Sequence, residues 1–340
     1  MTPANRRTDL PVLLLHNLDR SWSPEELTQT LREISALESA IRQEGHPVVN
    51  VPVRNADLHS ILTGYNPEEY VVLNWCEDLP GYSHSDMLVA ETLENLCFSY
   101  TGSPPSVLAL SWDKPKVKSL LEASGVPTPR WGLYHTSETG DWDVFPAIVK
   151  PAREHCSIGV DKEAVVLGKE QLRARVEYVL ETFQQPALVE DFIDGREFHV
   201  SIFGDRQRLV LPPAEMDFGE FSDVRDRLCT FDSKCVPGSK HYKGIRLQLP
   251  ARLDASELER LEKTATAAYK LIGCRDYARI DIRMRDGVFY VLDINPNADI
   301  GCETSIVYAA EVAGFSYGCI MSYLVNLAAE RHPRFRDAAL

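Results

Sequence analysis

Apolar positions near the start of the chain alternate between short continuous runs and helical spacing. Val12–Leu15 reads as a buried strand. Ser23 or Pro24 opens a helix whose Leu27, Leu31, Ile34, Leu37 and Ile41 share one face, and Gly45 stops it. Val48–Val53 and Tyr70–Trp75 read as further strands, and Ser85–Leu96 as a helix. That order predicts a parallel sheet with both faces covered. Asp113 caps a helix to Ser124, with Pro115 tolerated in its first turn. Val144–Val149 reads as a strand and Lys169–Phe183 as an amphipathic helix. Strands then dominate: Ala187–Phe192, Glu197–Phe203 and Arg208–Leu211. Residues 218–243 are polar and read as one long loop, of the kind that forms lids. A helix Ser256–Ile272, a hairpin Tyr277–Ile294 and two closing helices to about Glu330 complete the pattern.

Composition narrows the classes. The chain has 340 residues, too many for one minimal domain. Its formal net charge of −14 argues against a broad nucleic-acid face, which needs clustered Lys and Arg. The run Val12–Leu15 falls far short of the ~20 apolar residues that span a bilayer. Eight cysteines without a CxxC pair or a secretory signal point to reduced thiols and a cytoplasmic location.

The hairpin carries the sharpest chemistry. A three-residue turn Arg285-Asp286-Gly287 would pair Met284 with Val288, Ile282 with Tyr290, Ile280 with Leu292 and Ala278 with Ile294. The other face then carries Arg279, Asp281 and Arg283, with Asp293 across from Arg279 and Asn295 two residues on. Asp281, Asp293 and Asn295 offer oxygen ligands suited to a hard cation such as Mg²⁺. Upstream, Lys114, Lys150 and Lys234 supply cations, and the loop Ala152–Gly159, with Ser157, could cradle phosphates. Leu188–Glu197 reads as a strand, a turn and a second strand. It is either a plain hairpin or a hinge whose backbone reads adenine while a carboxylate takes the ribose.

These segments, VVLNWCEDLPG, YTGS, DKPKVKSLLEASGVPTP, FPAIVKP, ALVEDFIDGRE, YARIDIRM and VLDINPN, run in order over about residues 70–330. Together they resemble the ATP-grasp superfamily and, within it, the D-alanine–D-alanine ligase family. The resemblance implies a three-domain α/β (α+β) fold: an N-terminal parallel α/β domain (1–105) and two lobes (106–186 and 187–335) that clamp ATP, with a lid at about 218–243. It implies that Lys114 and Lys150 contact ATP phosphates. Glu190 and the backbone of Asp191, Phe192 and Ile193 would hold adenine, and Glu197 the ribose. Asp281, Asp293 and Asn295 would bind two Mg²⁺ ions, with Mn²⁺ as an alternative. Arg279 would stabilise an oxyanion, with Lys234 and Ser157 assisting. Gly301, Thr304 and Ser305 would lie at the second substrate. The partners implied are a small carboxylate and a small amine, with no nucleic acid or membrane, and a homodimer.

The sequence also departs from the family. No Glu-Val-Ser type motif follows the first strand, and the nearest segment, Arg32–Ser35, is expected on the wrong side of its helix. The phosphate loop reads His155-Cys156-Ser157, and Cys235 stands where the lid usually has Tyr. Two facing thiols are expected as simple substitutions rather than as a redox pair or zinc site. Asp299 either caps the following helix or faces the second substrate, where it would favour an ammonium or guanidinium. The expected activity is ATP-dependent amide formation through an acyl phosphate, in specialised biosynthesis. The alternatives are a true D-alanine–D-alanine or D-alanine–D-lactate ligase, an intramolecular cyclisation, and a non-catalytic ATP-binding regulator.

Overall fold

A computed structural model of the chain describes residues 6–236 and 238–336, apart from the side chains of Lys234 and Cys235. Three sheets form from successive stretches of sequence. The first is parallel, in the order Val48–Val53, Val12–Asn17, Val71–Trp75 and Ser99–Tyr100. Its central strand is apolar throughout because both faces are covered. Leu14 packs with Ile34, Leu37 and Ile41 of the helix Pro24–Gln43, while Leu13 and Leu15 pack with Val89 and Leu93 on the opposite side. A reciprocal cap starts that helix: the Glu26 N–H donates to the Ser23 hydroxyl, and the Ser23 N–H donates to the Glu26 carboxylate.

The second sheet is antiparallel, in the order Trp131–Tyr134, Ala187–Asp191, Ala147–Pro151 and Val165–Val166. Helix Lys169–Phe183 packs across it through Leu172, Val176 and Val179. Because Ala187–Asp191 pairs here, sheet membership changes in the turn before Arg196 and not at residue 187.

The third sheet follows the order Arg246–Gln248, Ala214–Asp217, Arg196–Phe203, Tyr277–Arg285 and Val288–Pro296, with Leu209–Val210 also paired to Arg196–Phe203. Phe198, Val200, Ile280, Ile282 and Val291 face helices Lys114–Ala123 and Ala255–Ile272. The hairpin register differs from the expected one. The turn is the two residues Asp286 and Gly287, both at positive φ, so Arg285 pairs with Val288. Ile282 pairs with Val291, and a bulge then leaves Leu292 as the extra residue, so Asp281 faces Asp293 and Arg279 faces Asn295. Without the bulge, Asp293 would point to the apolar side.

Residues 218–243 are not a bare loop. They hold the short helices Phe231–Cys235 and, from its cap at Ser239, Lys240–Gly244. Thr230 and Ser239 cap them, accepting from the N–H groups of Ser233 and Tyr242. Five-residue helices carry too little periodicity to be read from pattern. Ion pairs from Lys162 to Asp223 and Asp226, each at 2.9 Å, dock this segment on the central lobe.

The N-terminal unit is anchored at Thr101-Gly102-Ser103. The Gly102 N–H donates to Asp276, and the Ser103 N–H donates to Asn297 Oδ1 at 2.7 Å. Gly102 has φ +100°, and a Cβ there would lie 2.3 Å from Asn297 Oδ1, so only glycine fits. Among the described residues no single helix is long and apolar enough to cross a membrane. The apolar pair Ser305–Val312 and Tyr317–Ala329 is bent by 104° and packs in the core.

Candidate active site

The polar face of the third sheet is built in rows, because residues opposite one another on paired strands share a face. Ser201, Arg279 and Asn295 form one row. His199, Asp281 and Asp293 form the next, and Glu197, Arg283 and Tyr290 the third. Arg279 grips Asp281 with two donors, at 2.7 Å and 3.0 Å. Burial works against its charge, but Asp281 more than offsets this and holds the guanidinium above its ordinary range. The Asn295 amide donates to Asp281 Oδ2 at 3.1 Å. Lys114 reaches across to pair with Asp293. Burial alone would raise the Asp293 carboxyl, but Lys114 and its surroundings hold it well below the usual range.

A second cluster lies behind this face. Lys118 and Lys150 both pair with Glu190. Burial would raise the Glu190 carboxyl, yet the two lysines hold it at about 2. Two lysines share one carboxylate: burial opposes the charge of Lys150, but Glu190 more than offsets this and raises it, whereas burial wins at Lys118 and lowers it.

The backbone of the loop after Lys150 is strained. Cys156 and Ser157 occupy consecutive left-handed conformations, with φ 54° and 60°. The Ser157 hydroxyl donates to the Cys229 carbonyl at 2.9 Å and ties this loop to the start of the lid. His155 stands edge-on to Trp112, with centroids 4.2 Å apart. Burial and then Lys114 push its imidazole down to about 4, so it is neutral near pH 7.

Beyond Glu190 the backbone is fixed from both lobes. The Phe192 N–H donates to the Pro146 carbonyl at 3.0 Å, and Arg283 donates to the Ile193 carbonyl at 2.9 Å. Arg285 pairs with Asp191. Arg283 also donates to Glu197 at 2.7 Å. Burial opposes ionisation of Glu197, but Arg283 and His199 hold it below its ordinary range.

A family model described as the D-alanine–D-alanine ligase C-terminus matches residues 130–326, which is more than half of the chain. The chain belongs to the D-alanine–D-alanine ligase family. It is an ATP-grasp ligase of the C–N bond-forming type. An uncharacterized protein of Sinorhizobium fredii is 33% identical over 267 residues, covering 77% of this chain and 75% of that protein. A D-alanine–D-alanine ligase of Cupriavidus taiwanensis is 30% identical, covering 75% of this chain and 76% of its own length. The structure of the D-alanine–D-alanine ligase of Bacillus anthracis complexed with ATP superposes with a TM-score of 0.70 at 21% identity, covering 94% of this chain and 97% of that one.

Most residues that the D-alanine–D-alanine ligase resemblance singles out lie on or beside the polar face of the third sheet. Lys114, Lys150, Glu190, Glu197, Arg279, Asp281, Asp293 and Asn295 are linked by the contacts above. Ser305 joins them through a 3.3 Å contact between its hydroxyl and His199 Nδ1. The Thr304 hydroxyl instead donates to the Gly301 carbonyl at 2.9 Å. Asp299 accepts from the Gly301 N–H at 2.8 Å and also lines a neighbouring cavity. The expectations for Lys234 and Cys235 fall on side chains outside the described residues. The described tie between phosphate loop and lid runs through Ser157, while Cys156 is exposed.

Two site residues are not singled out by the sequence. Lys118 follows Lys114 at the i+4 spacing that puts both on one helix face, a signal that was available. His199 could be found only from the strand register, and Arg283, legible on the polar face, gains its partners Glu197 and the Ile193 carbonyl from the structure. The donor set Asp281, Asp293 and Asn295 fits a hard cation: it is all oxygen once the Asn295 amide oxygen is counted, and Asp293 is strongly biased to its charged form.

Proposed function

We propose that the chain uses ATP to convert a substrate carboxylate into an acyl phosphate, then passes the acyl group to an amine, joining two small amino-acid-like molecules. The observation that carries this reading is the Lys114–Asp293 pair, which sets a phosphate-type cation directly against a metal-type carboxylate. Lys114 and Lys150 would hold the transferring phosphates, with the Ser157 loop around them. The Asp191–Ile193 backbone would hold adenine, and Glu197 the ribose. Mg²⁺ at Asp281, Asp293 and Asn295 would neutralise phosphate charge. Arg279, held in the adjacent row, would stabilise the oxyanion formed when the amine attacks. The docked lid segment, with Lys234, would exclude water from a readily hydrolysed intermediate.

Two substrate readings stand. The D-alanine–D-alanine ligase of Cupriavidus taiwanensis favours D-alanine at both subsites and a role in cell-wall synthesis. The acidic surroundings of Asp299 favour a different pair in specialised biosynthesis. Carboxylate-labelled [¹⁸O₂]amino acids, D-alanine first, test the chemistry. Attack through an acyl phosphate moves one labelled oxygen into inorganic phosphate and leaves the other in the amide. Unlabelled phosphate would mean that water attacks ATP and would remove the reading. Label in phosphate with D-alanine supports the first substrate pair, and label only with another acid supports the second.

A further inference from the structure

A cavity of about 550 Å³ opens beside the polar face, between the N-terminal sheet and the Asp299 loop. Asp19, Glu33, Glu77, Asp78 and Asp299 line it, and no Lys or Arg is among its described lining residues. Glu33 lies in the Arg32–Ser35 segment expected to face away from the site; helix Pro24–Gln43 instead turns Thr30, Glu33 and Ile34 into the wall.

Most of these carboxylates are fixed in place. Asp19 accepts from Ser21, Asp78 from Ser85, and Asp299 from the Gly301 N–H. None of these donors is a cation, so the negative charge stays uncompensated. Glu77 is anchored by its backbone N–H, which donates to Asn17 Oδ1 at 2.7 Å. Its carboxylate opens onto the cavity and takes no hydrogen bond or ion pair from a described residue. Glu77 is exposed to solvent, and the crowding of protein around the cavity, then Asp299, Asp78, Asp86 and Glu33, push its carboxyl up. Behind the wall, Tyr277 is 2% exposed and its hydroxyl donates to no described group, while Asp299 and Glu77 act on it electrostatically. Grouped like charges destabilise a fold unless a ligand offsets them. A hole of this size is far larger than a metal ion needs, and Trp22 and Trp75 on its wall are suited to organic cations.

We infer that this cavity binds the cationic end of one substrate, an ammonium or guanidinium on an aliphatic stem, whose other end reaches the phosphate and metal face. The inference rests on the ligase reading for that other end. The path is short: Asp299 closely follows Asn295, and the rim at Ser83 leads into His84, which packs 4.0 Å from Trp112 and so onto His155.

Calorimetric titration of the full chain with Mg²⁺ and a non-hydrolysable ATP analogue tests it. The probes are arginine, agmatine, lysine and cadaverine, against the neutral citrulline and norleucine. At least one cationic probe should bind about tenfold tighter than its neutral counterpart, with the preference shrinking in salt. Glu77→Gln and Asp299→Asn should each weaken the preference without lowering Tm. Equal binding of cationic and neutral probes, or no binding of any cation at millimolar concentration, overturns the inference. ADP release separates the two levels. Cation binding without ADP release from any acid would leave the cavity assignment standing and remove the ligase reading. Turnover of a neutral acid with no preference for cations would do the reverse.

Discussion

The Lys118 ammonium lies 2.6 Å from Glu190 Oε1, and both side chains are almost fully buried. The same ammonium donates to the carbonyls of Val291, at 3.1 Å, and Leu292, at 2.9 Å. The bulge at Leu292 frees carbonyl groups from regular pairing, and Lys118 captures them. One side chain therefore joins the strand that positions Asp293 to the carboxylate that orients Lys150.

Lys118→Met should be costly for two reasons. It strips a buried carboxylate of one cation and takes a donor from the Leu292 carbonyl, while the Val291 carbonyl keeps the Thr128 hydroxyl, a loss of about 3–5 kcal/mol. It also commits Lys150 fully to Glu190, so the KM for ATP should rise. The double variant Lys118→Met/Glu190→Gln should recover part of the stability but not the nucleotide affinity. Denaturant titration and ATP saturation curves check both effects, and an unchanged midpoint for Lys118→Met would contradict the buried pairing.

Arg279 clamps Asp281 and, on the proposed chemistry, would face the oxyanion. Arg279→Ala should lower kcat by about 10²–10³-fold while ATP still binds. Arg279→Lys keeps the charge but cannot make the two-pronged contact, so it should fall between Ala and wild type. Wild-type turnover in Arg279→Ala would remove the oxyanion role.

Asp293→Asn removes a charge from the proposed cation site and the partner of Lys114. The Mg²⁺ concentration for half-maximal rate should rise at least about tenfold. Chelation by EDTA should stop turnover without unfolding the chain, because helices Lys114–Ala123 and Ala255–Ile272 support the sheet from the other side. An unaltered Mg²⁺ titration in the variant would exclude Asp293 as a ligand.

The chain's conformational stability should also report on Glu77. Although Glu77 is exposed, its folded pKa of about 7 lies above the ordinary 4.5, through the protein crowded around the cavity and then Asp299, Asp78, Asp86 and Glu33. The folded state thus holds more proton than the unfolded state between these values, and this group's contribution falls as pH rises through that window. Glu77→Gln should therefore gain Tm relative to wild type between pH 5 and pH 8. A constant Tm difference across that range would show that Glu77 is not perturbed.

Much of this architecture could be read from the chain. Strand Val48–Val53 and helix Lys169–Phe183 have the bounds that pattern alone gives them, because each has a clear period and a clear stop. The acidic and amide groups of the proposed metal site were also visible. Their register was not. An Asp-Gly turn of two residues and a bulge at Leu292 each shift pairing by one residue, and both depend on backbone geometry that alternation does not encode. Helix Pro105–Trp112 was missed because it has little polar face to mark its period, with Val107, Leu108 and Ser111 all buried. Glu33 was misplaced because the wall it joins comes from segments far apart in sequence, Glu77 and Asp299.

Hydroxylamine trapping tests the central claim most directly. The enzyme, ATP and Mg²⁺ would be incubated with hydroxylamine and a panel of D- and L-amino acids, including basic ones. Hydroxylamine intercepts an acyl phosphate without requiring the natural amine. The account predicts a hydroxamate and matching ADP from at least one amino acid, and loss of both in Asp293→Asn at limiting Mg²⁺. Nucleotide binding with no hydroxamate and no ADP from any acid, even with candidate amines added to close the lid, would contradict it.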